Sequence, residues 1–231
     1  MGPGRTVEPH LSSKCPRLAR RRDRTSRPTS SSRRSPHVVP DSPDLLHQPA
    51  GQTPRKVVAY ELVSLDGVAE DPDRFILAWD DAMDANLARV IATQDAVVLG
   101  RRSYDEWAAF WPGSELQPFA SFINEATKYV ATSTPLGQEW AGSHAIDGDL
   151  VAFVRHLKGQ PGGDIGVHAS VSVARTLLAA GVLDELRLVI APVIAGSGQR
   201  LFDGLPTLRL ETIGSTTSPS GHLLVDYRVL R

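Results

Sequence analysis

From Lys56 onward, apolar residues follow two alternating rhythms: short continuous runs rich in β-branched side chains, and longer stretches with apolar positions at helical spacing. The runs Lys56 to Val63, Asp95 to Gly100 and Lys128 to Ser133 predict strands, and His144 to Asp147 and Asp164 to Ala169 predict shorter ones. Between them, Asp80 to Thr93 carries Met83, Leu87, Val90 and Ile91 on one helical face, and Asp147 opens a helix through His156 with Val151 and Val154 inward. A third helix runs from an N-cap at Ser170 to Ala180, with Val173, Leu177 and Leu178 as its stripe and Gly181 as its stop. Strands alternating with helices argue for an α/β layer protein. The rhythm then changes, because Glu185 to Ile194, Leu208 to Thr216 and Leu223 to Leu230 follow one another with no helix between, which predicts antiparallel pairing at one edge. The total is eight strands and about four helices, a size that suits one domain over 56–231.

Composition separates this part from what precedes it. Residues 1–55 hold 11 Lys+Arg against 4 Asp+Glu, and the remaining 176 residues hold 14 against 22, so a formal net charge of −1 hides two unlike pieces. The first is rich in Arg, Ser and Pro, lacks apolar periodicity and is expected to be a disordered, solvated tail. A targeting peptide, a nucleic-acid tether and a translational start set too far upstream are the other readings. Thr25 to Pro40 supplies no apolar core for a secretory signal, and no aromatic residue is interleaved to stack on bases, so nucleic acid is not the expected partner. Cys15 is the one cysteine, which excludes an intrachain disulfide and a thiolate metal cluster. No apolar run reaches the roughly 18 residues of a membrane span, and a cytoplasmic location is the default expectation.

The candidate chemistry begins where the run Ala96 to Leu99 stops at Gly100. Arg101, Arg102 and Ser103 then stand at what should be a helix N-terminus, where backbone N–H groups and fixed positive charge together favour an anion such as phosphate. The plainer reading is a strand-to-helix turn with a Ser cap and two solvated arginines.

Several blocks, taken in order, extend this observation. They are Ser64 to Gly67 (sequence SLDG), Leu99 to Tyr104 (LGRRSY), Lys128 to Ser133 (KYVATS), the unit Ile165 to Gly181, and Val182 to Leu188 leading into Ala191 to Phe202. With them, residues 56–231 resemble the dihydrofolate-reductase-like family that includes the reductase domain of bacterial riboflavin biosynthesis. The resemblance implies a mostly parallel eight-stranded sheet flanked by helices in three layers, with NADPH across the carboxyl ends of the strands, where open α/β sheets bind ligands. It implies that Gly100, Arg101, Arg102 and Ser103 meet the adenosine 2′-phosphate, with Thr132 and Ser133 beside the same end. His168, Ala169, Ser170 and Val171 would stand at the pyrophosphate, His168-Ala169 replacing glycine of the family pattern. The nicotinamide end would lie near Ala59, the Ser64 to Gly67 turn, and Pro192 to Gly198, where Gly196, Ser197 and Gly198 allow close backbone approach or form a plain flexible turn.

The reaction implied is hydride transfer to a small heterocyclic or conjugated substrate, pteridine- or pyrimidine-like, by a homodimeric enzyme. The alternative is a nucleotide-binding protein of the same fold that serves regulation or assembly without catalysis. Asp66 is the candidate acid, although an Asp before Gly is also a common turn residue. Asp80, Asp81 and Asp84 open the first helix and are read either as caps or as a carboxylate facing the substrate. Trp79, Trp107, Phe110 and Trp111 are either pocket walls or core. His168 is either a phosphate ligand or a structural hydrogen bonder. Asp184 and Glu185 are taken as a solvated turn, and no spacing resembles a metal site.

Overall fold

The computed structural model describes residues 55–231; the expectations for residues 1–54, Cys15 included, lie outside the described residues. Eight strands form one sheet: β1 (Val57–Ser64), β2 (Gln94–Gly100), β3 (Thr127–Ala131), β4 (Ser143–Ala145), β5 (Asp164–His168), β6 (Glu185–Ala191), β7 (Arg209–Thr217) and β8 (Leu223–Leu230). Their order is β4-β3-β2-β5-β1-β6-β8-β7. All pairings from β4 to β6 are parallel, whereas β8 runs antiparallel to both β6 and β7, as the unbroken strand succession near the C-terminus predicts.

Helices cover both faces, which is why the central strands read as continuous apolar runs. Helices α1 (Asp81–Ile91), α2 (Arg101–Phe110) and α3 (Phe119–Glu125) pack on one side, through Met83, Leu87, Tyr104 and Ile123, against Val58, Val97 and Leu99. Helices α4 (Leu150–Lys158) and α5 (Val171–Ala179) pack on the other, through Val154, Leu177 and Leu178, against Val57, Ala59 and Val167. The start of α1 is fixed by Asp80, whose carboxylate accepts the Ala82 and Met83 amides. The stop of α5 is Gly181 at φ +64°, where Val182 N–H returns to the Leu177 carbonyl. Helix α3, seven residues long, has no counterpart among the helices the periodicity predicts.

This winding sets the position of a ligand crevice. The chain leaves β1 and β2 toward the α1–α3 side but leaves β5, which lies between them, toward the α5 side. The connections diverge at the carboxyl end of β5, and a cleft opens there in sheets of this kind. Among the described residues, no helix is long and apolar enough to cross a membrane.

Candidate functional site

Two helix N-termini meet at that cleft. The Gly100 N–H, at the end of β2, donates to the Ser170 hydroxyl at 3.0 Å. The Ser103 hydroxyl donates to the Ala169 carbonyl at 2.7 Å and lies 3.1 Å from the Ser170 hydroxyl. Because Ser170 Oγ is committed to α2, it forms no side-chain cap on its own helix. Neither α2 nor α5 has an acidic residue in its first turn or a side-chain cap. By contrast, α1 and α4 are closed by the Asp80 and Asp149 carboxylates. The open positive ends of two helix dipoles thus point into one place, and an anion is what that place suits.

Arg101 and Arg102 diverge from this point. Arg101 bends toward β3: its Nε meets both Asp105 carboxylate oxygens at 2.8 Å, and one terminal nitrogen donates to Thr132 Oγ1, Thr134 Oγ1 and the Pro135 carbonyl. Arg102 is 64% exposed and reaches Glu70 Oε1 at 3.3 Å, on the loop after β1. One guanidinium is therefore anchored with its charge partly matched, and the other stands in solvent with a weak surface pair. Thr132 joins the Arg101 cluster, and Ser133 beside it is exposed.

The turn between β5 and α5 keeps the shape that glycine usually supplies. Ala169 sits in the left-handed region at φ +49°, which a residue with Cβ adopts at a cost of about 1 kcal/mol. His168 faces the α1–α3 core instead of the cleft. It is 2% exposed, its Nε2 lies 2.8 Å from Gln94 Oε1, and Tyr60, Phe119 and Phe122 ring it. Gly166 makes this pair possible, because a Cβ there would stand 2.2 Å from Gln94 Oε1 and 2.8 Å from His168 Nε2. Burial pushes the imidazole down to about pKa 3, so it is neutral. Val171, the first residue of α5, is buried in the opposite core.

Beyond the carboxyl end of β1, Asp66 joins two loops. Its carboxylate accepts the Ser64 hydroxyl at 2.6 Å and the Ala195 and Gly196 amides at 2.9 Å each, and Arg200 Nε donates to its backbone carbonyl. The Ser64 hydroxyl and the two amides hold the carboxyl down at about 2, which leaves Asp66 ionised and without a proton to give at neutral pH. Gly196, Ser197 and Gly198 form the exposed turn it fixes, and Gly198 at φ +129° passes so near Val68 that a Cβ would lie 2.7 Å from it. Ala59 lies farther back, with 0% exposure in the α5-side core.

The α1 carboxylates have distinct surroundings. Asp80 caps the helix and also accepts the Ser220 amide and hydroxyl from the β7–β8 turn. Asp81 is exposed, whereas Asp84 accepts the Trp79 indole N–H at 2.7 Å and its charge acts on the buried Tyr60 hydroxyl of β1. Trp107, Phe110 and Trp111 join Phe119 in an edge-to-face cluster between α2 and α3. Asp184 and Glu185 are not a solvated turn: Asp184 accepts the Val57 amide and pairs with Lys158, and Glu185 is 5% exposed and pairs with Arg187 and Lys56. Glu61, which no sequence motif marks, is a carboxyl inside the apolar run of β1 and is 2% exposed. A glutamate at an inward position of a central strand was the available signal.

In open α/β sheets ligands bind outside the carboxyl ends of the strands at the switch point, and here two helix ends without side-chain caps lie at that point. Residues 55–224 match the RibD C-terminal domain, and the chain belongs to that family. The family and the fold are reductase-like. The chain is 27% identical to the uncharacterized protein YyaP of Bacillus subtilis over 180 residues, which is 75% of this chain and 94% of YyaP. Among solved structures it is similar to a putative riboflavin biosynthesis protein from Shewanella sp. PV-4, with a TM-score of 0.62, 19% identity, and coverage of 76% of this chain and 99% of that one. It is also similar to a dihydrofolate reductase from Enterococcus faecalis complexed with NADP(H), with a TM-score of 0.52, 16% identity, and coverage of 76% and 97%.

Proposed function

We propose that this protein is an NADPH-dependent reductase acting on a small heterocycle of the pteridine or pyrimidine class. The observation that carries the reading is the convergence of the α2 and α5 N-termini, tied through Gly100, Ser103 and Ser170, with no carboxylate in either first turn. These residues fit a dinucleotide: the paired helix ends suit its pyrophosphate, and Arg102 with the Arg101–Thr132 cluster suits the 2′-phosphate beside it. Bound there, NADPH supplies the hydride. The loops joined by Asp66 bound the far end of the cleft, where the protein has only to hold the ring against its acceptor and keep water out. On the α1 side, Asp84, whose charge acts on Tyr60 of β1, is our candidate for the carboxylate that faces the substrate. The dihydrofolate reductase complexed with NADP(H) supports this reading by fold alone.

The test is turnover. Purified full-length protein is mixed with NADPH and a panel of pteridines, pyrimidines and quinones while the reduced-cofactor absorbance is followed. Oxidation with at least one heterocycle, slower with NADH, supports the proposal; NADPH binding without turnover across the panel favours the non-catalytic alternative.

A further inference from the structure

Glu61 follows Tyr60 on β1, and strand alternation turns it to the α5 side with Ala59 and Val63. Its Oε1 is buried with no hydrogen-bond partner, and the Ser170 backbone N–H acts on its carboxyl. Ser170 is the residue whose hydroxyl joins α5 to α2. Among the described residues, no cation is paired with the carboxyl. On β5, His168 lies on the opposite face of the sheet, and on β6, Arg187 lies on that face as well, paired with Glu185 and Asp226. On α5, Arg175 donates to the Asp203 carbonyl; on α4, Arg155 reaches the Ala180 carbonyl, His156 meets Gln160, and Lys158 pairs with Asp184. In the loops after β1 and β6, Asp66 and Glu70 are turned to the Ala195, Gly196 and Gln199 amides, and Arg200 to Asp66.

We propose that Glu61 is a positioning residue of the anion site, a neutral acid that supports Ser170 from beneath and keeps negative charge out of the floor under the dinucleotide phosphates. This rests on the nucleotide-binding reading above. An ionised carboxylate at this depth occupies the positive end of α5 and repels the pyrophosphate through a low-dielectric interior. The protonated form does neither. Burial holds the acid at about 8, so the neutral form dominates at neutral pH. Proton and dinucleotide then bind cooperatively, and above pH 8 the NADPH affinity falls by up to about tenfold per pH unit. The charge of NADPH itself is constant there, because a phosphate monoester finishes ionising near pH 6.

The experiment is a fluorescence titration of full-length wild type and Glu61→Gln with NADPH from pH 6.5 to 9.5. Glutamine keeps the acceptor and cannot ionise, and Lys128, which burial brings down to about 8, is common to both proteins. The expected result is equal affinity at pH 6.5, a steep loss above pH 8 in wild type, and a shallower line in the variant. Parallel pH profiles overturn this inference alone; absence of NADPH binding by both proteins at every pH overturns it together with the proposed function. The infrared difference spectrum of ligand-free wild type between pH 6 and 10 gives a second readout, independent of the cofactor and of the variant. A protonated-carboxyl band lost near pH 8 supports the neutral acid, and its absence at pH 6 overturns it.

Discussion

The Gly100 backbone N–H and the Ser170 hydroxyl, 70 residues apart in sequence, meet at 3.0 Å and bind the start of α2 to the start of α5. Removing that hydroxyl leaves the amide without its acceptor and frees Ser103 from its second partner. Ser170→Ala is expected to cost about 1–2 kcal/mol in urea unfolding, with weaker NADPH binding measured on the same preparation.

Arg101 and Arg102 separate stability from recognition. Arg102→Ala breaks one exposed pair and is expected to change stability by less than about 0.5 kcal/mol while weakening NADPH binding more than NADH binding. Arg101→Ala removes the Asp105, Thr132, Thr134 and Pro135 contacts together, so its melting temperature should fall as well. Paired thermal melts and titrations check the contrast.

Ala169 holds a left-handed conformation that glycine adopts freely. Ala169→Gly is expected to stabilise the fold by about 1 kcal/mol, read as a higher urea midpoint with an unchanged slope.

Two buried groups shape the pH dependence in opposite directions. The His168 pKa is lowered from 6.5 to about 3, so the unfolded chain binds the extra proton, and stability is lost as pH falls from 6.5 toward 3. The Glu61 pKa is raised from 4.5 to about 8, so the folded chain binds the extra proton, and stability is lost as pH rises from 4.5 through 8. The His168 contribution is complete above pH 6.5, so Glu61 governs the decline from 6.5 to 8. Urea midpoints across pH should show Glu61→Gln flattening that decline and His168→Leu flattening the acid side.

Asp66 acts at lower pH. Its carboxyl is held at about 2 against an ordinary 3.8, so the loop contacts it makes are present above pH 4 and lost as pH falls toward 2. Asp66→Asn is expected to lose that acid-side dependence in the same unfolding series.

Most of the architecture was legible because it rests on local patterns. The run Ala96 to Leu99 reads as a buried strand, and Asp80 before a stripe of Met83, Leu87, Val90 and Ile91 marks a helix start. Helix α3 was not legible, since seven residues after Pro118 carry too little periodicity. The site was only half visible. Gly100 to Ser103 announced a helix N-terminus, and Asp105 four residues after Arg101 was an open sign that one guanidinium is taken. The turn of His168 into the core depends on Gln94 reaching it across Gly166, a relation between two strands that no single stretch displays. Glu61 is a charge in an apolar run and was not singled out, and its closeness to Ser170 exists only once β1 and β5 pair.

The central claim is that the converging ends of α2 and α5, with the arginines beside them, hold a dinucleotide and favour its 2′-phosphate. Fluorescence titration of wild type and Arg102→Ala with NADPH and NADH at pH 7 tests it most directly. The account predicts saturable binding, at least about tenfold tighter for NADPH in wild type, with the margin shrinking in the variant. Equal affinities for the two cofactors, or a margin untouched by the substitution, contradict it.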